Sequence, residues 1–590
     1  MRLFIIPLCS LALFTASCNG GKTEGSRNTT NTAAADDELN VAFQQYSEHF
    51  TEALWAQEPE WATQMGYHKF DDRLNIPNEA TKTQTLSFVK AQLDSLKAYD
   101  PAKLTPSHLT DFRMIENYLQ SRQWSITTLK EAEWNPAGYN VTGLIAFMLS
   151  EQYAPLADRM QHCYKRLQQV PAFYEAAKQS LKNPVAELKA LGIDQNEGGL
   201  YVLEKDFVDS LTKAGFPEAE KDSMLAAAKA AATAVKDYVA FLKTMKGYTP
   251  RDFRLGKALY EDKFRYDIQS SLTAAQTYEA ALARKRYLHG EMAKISKQLW
   301  QKYYGKQPAP TDTLALIGKM IDTLSTKHVK PNEFQSAIEK QIPELIRFIK
   351  EKNLLYIDST KPLVIRKEPA YMAGVAGASI SSPGPYDKDG NTYYNVGSLE
   401  GWPAAKAESY LREYNHYILQ ILNIHEAIPG HYTQLVYANR SPSIIKSILG
   451  NGAMIEGWAV YTEQMMLENG YGNNEPEMWL MWYKWHLRTV CNTILDYSVH
   501  SGNMTKEEAL HLLTKEAFQQ QAEAEGKWKR VSVTSVQLTS YYSGYQAIYN
   551  LREEIKKREG KRFDLRVFNE KFLSYGSAPV KYISDLMLRK

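Results

Sequence analysis

Two histidines and a glutamate in the stretch His425-Glu426-Ala427-Ile428-Pro429-Gly430-His431 are side chains that can bind a divalent metal and move a proton. Zinc peptidases commonly set two histidines four residues apart on one helix, with a glutamate beside the first as general base. Here the histidines are six apart and a Pro-Gly pair lies between them. A four-residue step on an α-helix separates two side chains by about 40°, whereas six residues separate them by about 120°. One unbroken helix therefore cannot close both imidazoles on one ion. Pro429 lacks an N–H and interrupts a helix, and Gly430 accepts backbone angles that other residues resist. Together they can loop out the surplus residues and return His431 over His425. The plainer alternative is that Pro-Gly ends one helix and starts another, with both histidines in ordinary contacts.

A third ligand is available downstream in "MIEGWAVYTEQ". Glu456 sits among Met454, Ile455 and Trp458, where a carboxylate needs a partner. Two histidines and one glutamate leave a fourth zinc position for water. Glu463, two turns further on the same helical face, can orient a ligand histidine from behind. Taken singly, each of these carboxylates reads more often as a solvated surface charge.

The elements that must position these residues are helices. From about residue 37, apolar residues recur at three- and four-residue spacing, as in "EAALARKRYLHGEMAKISKQLWQKYY" and "EKDSMLAAAKAAATAVKDYVAFLKTM". Loop signals are sparse and local: "NIPNEAT", "DPAKLTP", "KNPVAE", "GYTPRDF" and "KQPAPTD". The segment 361–398 differs, with β-branched runs, many glycines and a "KDGN" turn, and predicts a small sheet or hairpin. A strand beside a metal site can pair with an extended peptide, although a purely structural hairpin fits equally. The expected fold is mainly α, one large helical body spanning 37–590, with the chemistry-bearing part in 361–590.

Composition narrows the function classes. The net charge of +3 is too balanced for a protein that grips nucleic acid or a membrane surface through a basic stripe. The 37 tyrosines and 11 tryptophans suit grooves for ligands that are apolar in body and polar at the edges. At the N-terminus, Arg2, an apolar run from Leu3 to Phe14 and Ala16-Ser17 before Cys18 read as a signal peptide over 1–17. "TASC" resembles a bacterial lipobox with Thr15 in place of the usual leucine, making Cys18 the lipidated residue and 18–36 a flexible tether. An exported lipoprotein facing the periplasm or cell surface follows. Cys163 and Cys491 remain, far apart and without metal-binding spacing, and are expected as isolated buried thiols.

"HEAIPGHYTQ", "EGWAVYTE", "LDYSVHSGNMTKEEAL" and "TSYYSGYQAIYNLR" occur in an order that resembles the bacterial domain-of-unknown-function family 885. The early "ALWAQEPEWATQMGYHKFDDRL" and the late "FNEKFLSYGSAPVKYISDL" extend that resemblance over nearly the whole mature chain. The family is similar in turn to helical zinc peptidases of the neurolysin and thermostable-carboxypeptidase type, which implies two helical lobes around a deep channel. Carried over, the resemblance implies zinc held by His425, His431 and Glu456, with Glu426 as base. It places Asp496 and His500 in an Asp-x-x-x-His segment, to steady a ligand, contact substrate or form a structural pair. Tyr541, with Tyr545 as its rival, would donate a hydrogen bond to an oxyanion. Arg530 and Gln537 would hold a substrate carboxylate or main chain. Asn492 stands where many members carry arginine, and Val536 where a proline-glycine turn is common, which bears on the substrate-end pocket.

The expected function is a zinc metallopeptidase acting on peptides. The alternatives are a zinc hydrolase of non-peptide amides or esters, and a catalytically silent lipoprotein that binds peptides or glycans.

Overall fold

The structure is a computed structural model that describes residues 27–361, 363–368, 378–387 and 390–589. The signal peptide, Cys18, the first part of the tether, and Lys388 and Asp389 of the "KDGN" turn lie outside the described residues.

The protein is mainly α, as its periodicity predicts. Four helices dominate: Arg27–Gln57, Glu218–Thr244, Ala274–Tyr304 and Pro476–Gly502. Their ends follow local chemistry. Thr273 and Gln276 close a reciprocal capping box at the start of Ala274–Tyr304, satisfying amide groups that have no partner inside the helix. Pro476 occupies the first turn of Pro476–Gly502, where its missing N–H costs nothing. "GYTPRDF" and "KQPAPTD" fall between helices, as their turn residues predict. The first helix begins at Arg27, inside the stretch expected as tether, so residues 27–36 are helical. The Ala33-Ala34-Ala35 run has the highest helix propensity available and extends the helix backwards from its packed part.

One hydrophobic core joins the N-terminal helices, through Phe43, Phe50 and Trp55, to the C-terminal half, through Trp458, Trp482 and Phe572. A second core, with Tyr139, Leu167, Tyr174, Phe207 and Tyr238, gathers the helices between Thr142 and Thr244. Each such side chain contributes about 1.5–3 kcal/mol when removed from water. Burial, more than helix propensity, therefore holds the helices in register. Cys163 and Cys491 are both buried and free, as expected.

Three strands, β1 (Leu363–Lys367), β2 (Ala378–Ser381) and β3 (Thr392–Val396), form a sheet in the order β1-β3-β2. β2 and β3 make the antiparallel hairpin that the sequence suggests, with Ala378 opposite Val396. β1 adds in parallel, Leu363 opposite Thr392, a pairing that no local signal announces. Central strand β3 is tied to the motif helix: the Tyr394 hydroxyl donates to Asn423 Oδ1 at 2.8 Å.

Candidate metal centre

The first motif helix, His416–Glu426, starts at Asn415, whose side chain accepts from the Tyr417 and Ile418 N–H groups. It stops at Glu426, one residue past His425. The second, His431–Ala438, starts at His431. Between them the chain reverses tightly, with the Ile428–Pro429 bond cis. The Gly430 N–H reaches back to the Ile424 carbonyl at 2.9 Å. A Cβ on Gly430 would lie 1.8 Å from the His425 carbonyl oxygen, so only glycine fits this return. Trp458, from the helix Gly452–Glu468, donates its indole N–H to the Pro429 carbonyl at 2.9 Å and clamps the reversal to the helix that carries Glu456. The break read from Pro-Gly is therefore the device that brings the two histidines together. Their rings are 4.8 Å apart and nearly perpendicular.

Glu456 meets both imidazoles with a single oxygen. Its Oε2 lies 3.3 Å from His431 Nε2 and 3.8 Å from His425 Nε2. Among the described residues, His425, His431 and Glu456 are the group whose ligand atoms converge in this way, all within 4.8 Å of one another. Two ligands on one zinc ion at bond lengths near 2.0–2.1 Å are separated by roughly 3.3 Å when tetrahedral. The observed separations thus fit a shared ion with small side-chain adjustment.

Seven residues after Glu456, and so almost directly above it on the same helix, Glu463 accepts a hydrogen bond from His425 Nδ1 at 2.7 Å. The same oxygen, Oε1, accepts from the Trp485 indole at 3.1 Å. Glu463 is fully buried. This fixes the His425 ring and turns its Nε2 toward Glu456. Burial works to raise the Glu456 carboxyl, and the two imidazoles beside it outweigh that and hold it below its ordinary range. Burial raises Glu426, and its proximity to Glu456 adds to the rise while the two histidines oppose it. Three carboxylates therefore surround two imidazoles in a half-buried place, an arrangement short of positive charge that a divalent cation would balance.

Tyr541 lies over the cluster, its ring stacked on His425 with centroids 6.5 Å apart. Its hydroxyl accepts from Arg530 Nη2 at 3.1 Å, and the same nitrogen donates to Gln537 Oε1 at 2.7 Å. Burial, with the nearby Glu456 charge, pushes the phenol up to about 12, so it stays a donor at neutral pH. Tyr545 is one turn further, and its hydroxyl is taken by Gln464 and by Arg284 at 3.2 Å. Of the two candidate tyrosines, Tyr541 is the one beside the histidines. The helix that carries both, Ser540–Glu559, touches Gly452–Glu468 backbone to backbone: a Cβ on Gly544 would lie 1.7 Å from the Ala453 carbonyl oxygen.

Asp496 and His500 are not brought to the cluster. His500 Nε2 donates to the Val531 and Thr534 carbonyls at 3.0 and 2.9 Å, and its ring stacks on Tyr260. Burial lowers it to about 4, so it is neutral. Asp496 accepts the Val536 N–H at 3.1 Å and stands 3.8 Å from His500, too far for a direct hydrogen bond. Of the roles open for His500, these contacts match the structural one, made to the backbone and not to Asp496 directly. With Asp496 it pins both sides of the turn between the Arg530 helix and the Tyr541 helix. Val536, where a proline-glycine turn is common, adopts φ +67°, backbone that favours glycine. Asn492 is buried on Pro476–Gly502, and among the described residues its Oδ1 has no hydrogen-bond partner.

The residues that the sequence did not single out for the site are Trp458, Trp485 and Asn423. Trp458 and Trp485 act through one N–H each and look like core aromatics in any one-dimensional reading.

Fold and cluster together define a mainly α protein with a His-His-Glu cluster built on an interrupted helix and backed by a buried second glutamate. The chain belongs to the bacterial family of proteins of unknown function DUF885, whose profile matches residues 59–587. It is similar to a proposed lipoprotein of unknown function from Shewanella oneidensis, at 52% identity, over 93% of this chain and 100% of that one, with a TM-score of 0.83. A proposed lipoprotein from Colwellia psychrerythraea shares the fold at 16% identity, over 93% of this chain and 98% of that one, with a TM-score of 0.76. No curated protein matches the chain. These neighbours support an exported lipoprotein, and among the described residues no helix is long and apolar enough to cross a membrane.

Proposed function

We propose that this protein is a zinc-dependent metallopeptidase, held by lipid on Cys18 and facing the periplasm or cell surface. The observation that carries the reading is the convergence of His425, His431 and Glu456, with Glu463 on the far nitrogen of His425. A zinc ion bound there would lower the pKa of a water molecule and polarise a scissile carbonyl.

The chain's own residues supply the rest. Glu426, next to His425 and raised by burial, would take a proton from the attacking water and deliver it to the leaving amine. Tyr541, protonated at neutral pH and backed by Arg530, would donate a hydrogen bond to the oxyanion that develops on the carbonyl. Glu463 and Trp485 would keep the His425 ring in place throughout.

The test is Glu426→Gln. Chelator-sensitive hydrolysis of a peptide library by the wild-type protein should fall on the order of a thousandfold in the variant, with metal content retained. Full turnover by the variant would remove Glu426 as base, and a wild-type protein that cleaves no peptide would reject the reading.

A further inference from the structure

A cavity of about 380 Å³ lies on the far side of the helix that carries Tyr541, and the proposed chemistry does not use it. Ser543, Ala547 and Asn550 line it from Ser540–Glu559. At about 100° per residue they share the face opposite Tyr541. The other walls come from the start of Gly452–Glu468, from the chain just after the helix Lys257–Ile268, and from the C-terminal helix Val580–Leu588. None of His425, His431 and Glu456 lines it.

Two polar atoms of the lining residues are left over by the fold. Ser543 is 5% exposed, and among the described residues its Oγ has no hydrogen-bond partner. A helical serine ordinarily turns its hydroxyl onto a carbonyl of the preceding turn. Ser584, also on the lining, does so and donates to the Val580 carbonyl at 2.8 Å. Gln269, the residue after Lys257–Ile268, has its Oε1 buried and equally without a partner. Such oxygens have lost their water and gained nothing in return, which a ligand hydroxyl would remedy. Charge narrows the ligand class. Glu554 is matched by Arg558 at 2.7 Å and Asp585 by Arg113 at 3.2 Å, while Lys581 on the same lining is exposed. Charges of both signs favour neither an anion nor a cation. What remains is a set of neutral hydroxyl and amide groups beside the apolar Leu551, Val580 and Leu588. A sugar ring has the same division, with hydroxyls at its edge and C–H groups on its faces. The volume lies toward the small end of the range for small-molecule sites.

We propose that this cavity is a second ligand site, separate from the His-His-Glu cluster, which binds an uncharged mono- or disaccharide through Gln269 and Ser543. It does not depend on the hydrolase reading, because none of its residues belongs to that chemistry.

The test is calorimetry on full-length protein in a detergent without a sugar headgroup. The probes are glucose, N-acetylglucosamine and maltose, with acetate and ethylammonium as charged controls. At least one sugar should bind and neither control should. Combining Gln269→Gly with Ser543→Ala should weaken the sugar on the order of tenfold. Gln269 has φ +53°, so glycine keeps that backbone, and an unchanged Tm shows that the fold survives. Ala547→Phe, which fills the cavity without touching either polar group, should abolish binding. His431→Ala should bind the sugar as the wild type does. Binding by none of the three sugars would mean that water alone occupies the cavity, and would overturn the proposal. A sugar affinity untouched by the double variant and by Ala547→Phe, or lost in His431→Ala, would overturn it too, the last by placing the sugar at the His-His-Glu cluster. Sugar binding by a protein that cleaves no peptide would leave this site standing while the hydrolase reading falls.

Discussion

His425 and His500 are both buried histidines near the ends of C-terminal helices, each with a carboxylate close by, yet they are wired in opposite ways. His425 gives Nδ1 to Glu463 at 2.7 Å and leaves Nε2 facing a second carboxylate, Glu456, across 3.8 Å. His500 uses Nε2 on two backbone carbonyls, and its Asp496 accepts a backbone N–H from the next turn. The difference teaches that a histidine–carboxylate spacing does not define a role. What decides is where the other nitrogen points. A histidine that can take a metal is held from behind by a carboxylate, a carbonyl or water, and keeps its front nitrogen uncommitted to the backbone. A structural histidine spends its donor on the main chain.

The sharpest way to break this comparison is to remove one histidine of each kind. His425→Ala should abolish stoichiometric zinc in protein purified without chelators, whereas His500→Ala should keep it and lower Tm. Elemental analysis beside a melting curve reads both, and equal zinc loss from the two variants would erase the distinction. The backing carboxylates come next. Glu463→Gln should weaken zinc binding about 10–100-fold in a competition titration, while Asp496→Asn should leave it unaltered. An unchanged affinity in Glu463→Gln would mean that Glu463 merely fills space.

A further contrast lies in pH dependence. Burial pushes the Asp496 carboxyl up to about 7, against the pull of the Val536, Thr539 and Leu538 backbone and of Lys263. Its folded pKa therefore lies above the unfolded value, so folding takes up a proton between about pH 4 and pH 7. The Asp496 contribution is most favourable at the acid end of that window and is lost as pH rises through it. Tm of the wild type relative to Asp496→Asn should accordingly decline from pH 4 to pH 7. A difference independent of pH would contradict the assignment.

Much of the His-His-Glu cluster was legible in the sequence because its geometry is local. A helix that must break between His425 and His431, and a seven-residue step from Glu456 to Glu463, can be worked out from turns of about 100° per residue. Even the need for glycine at 430 follows from the tightness of the return. Contacts between distant segments were not legible. Nothing near Trp485 in the chain marks it as the donor to Glu463. Asp496 and His500 show where such local reasoning stops. Their four-residue step does place them on one face, but the Thr534–Thr539 turn comes between them and occupies both. The helical class was likewise plain from periodicity, whereas the parallel pairing of β1 with β3 arises from tertiary contacts alone.

Anomalous diffraction at the zinc edge, on crystals of full-length protein prepared without chelators, asks the central question most directly. A zinc centre at this cluster requires one strong peak per chain, within bonding distance of His425 Nε2, His431 Nε2 and Glu456, and none in crystals of His431→Ala. A wild-type map without that peak, or with its peak beside other residues, would contradict it.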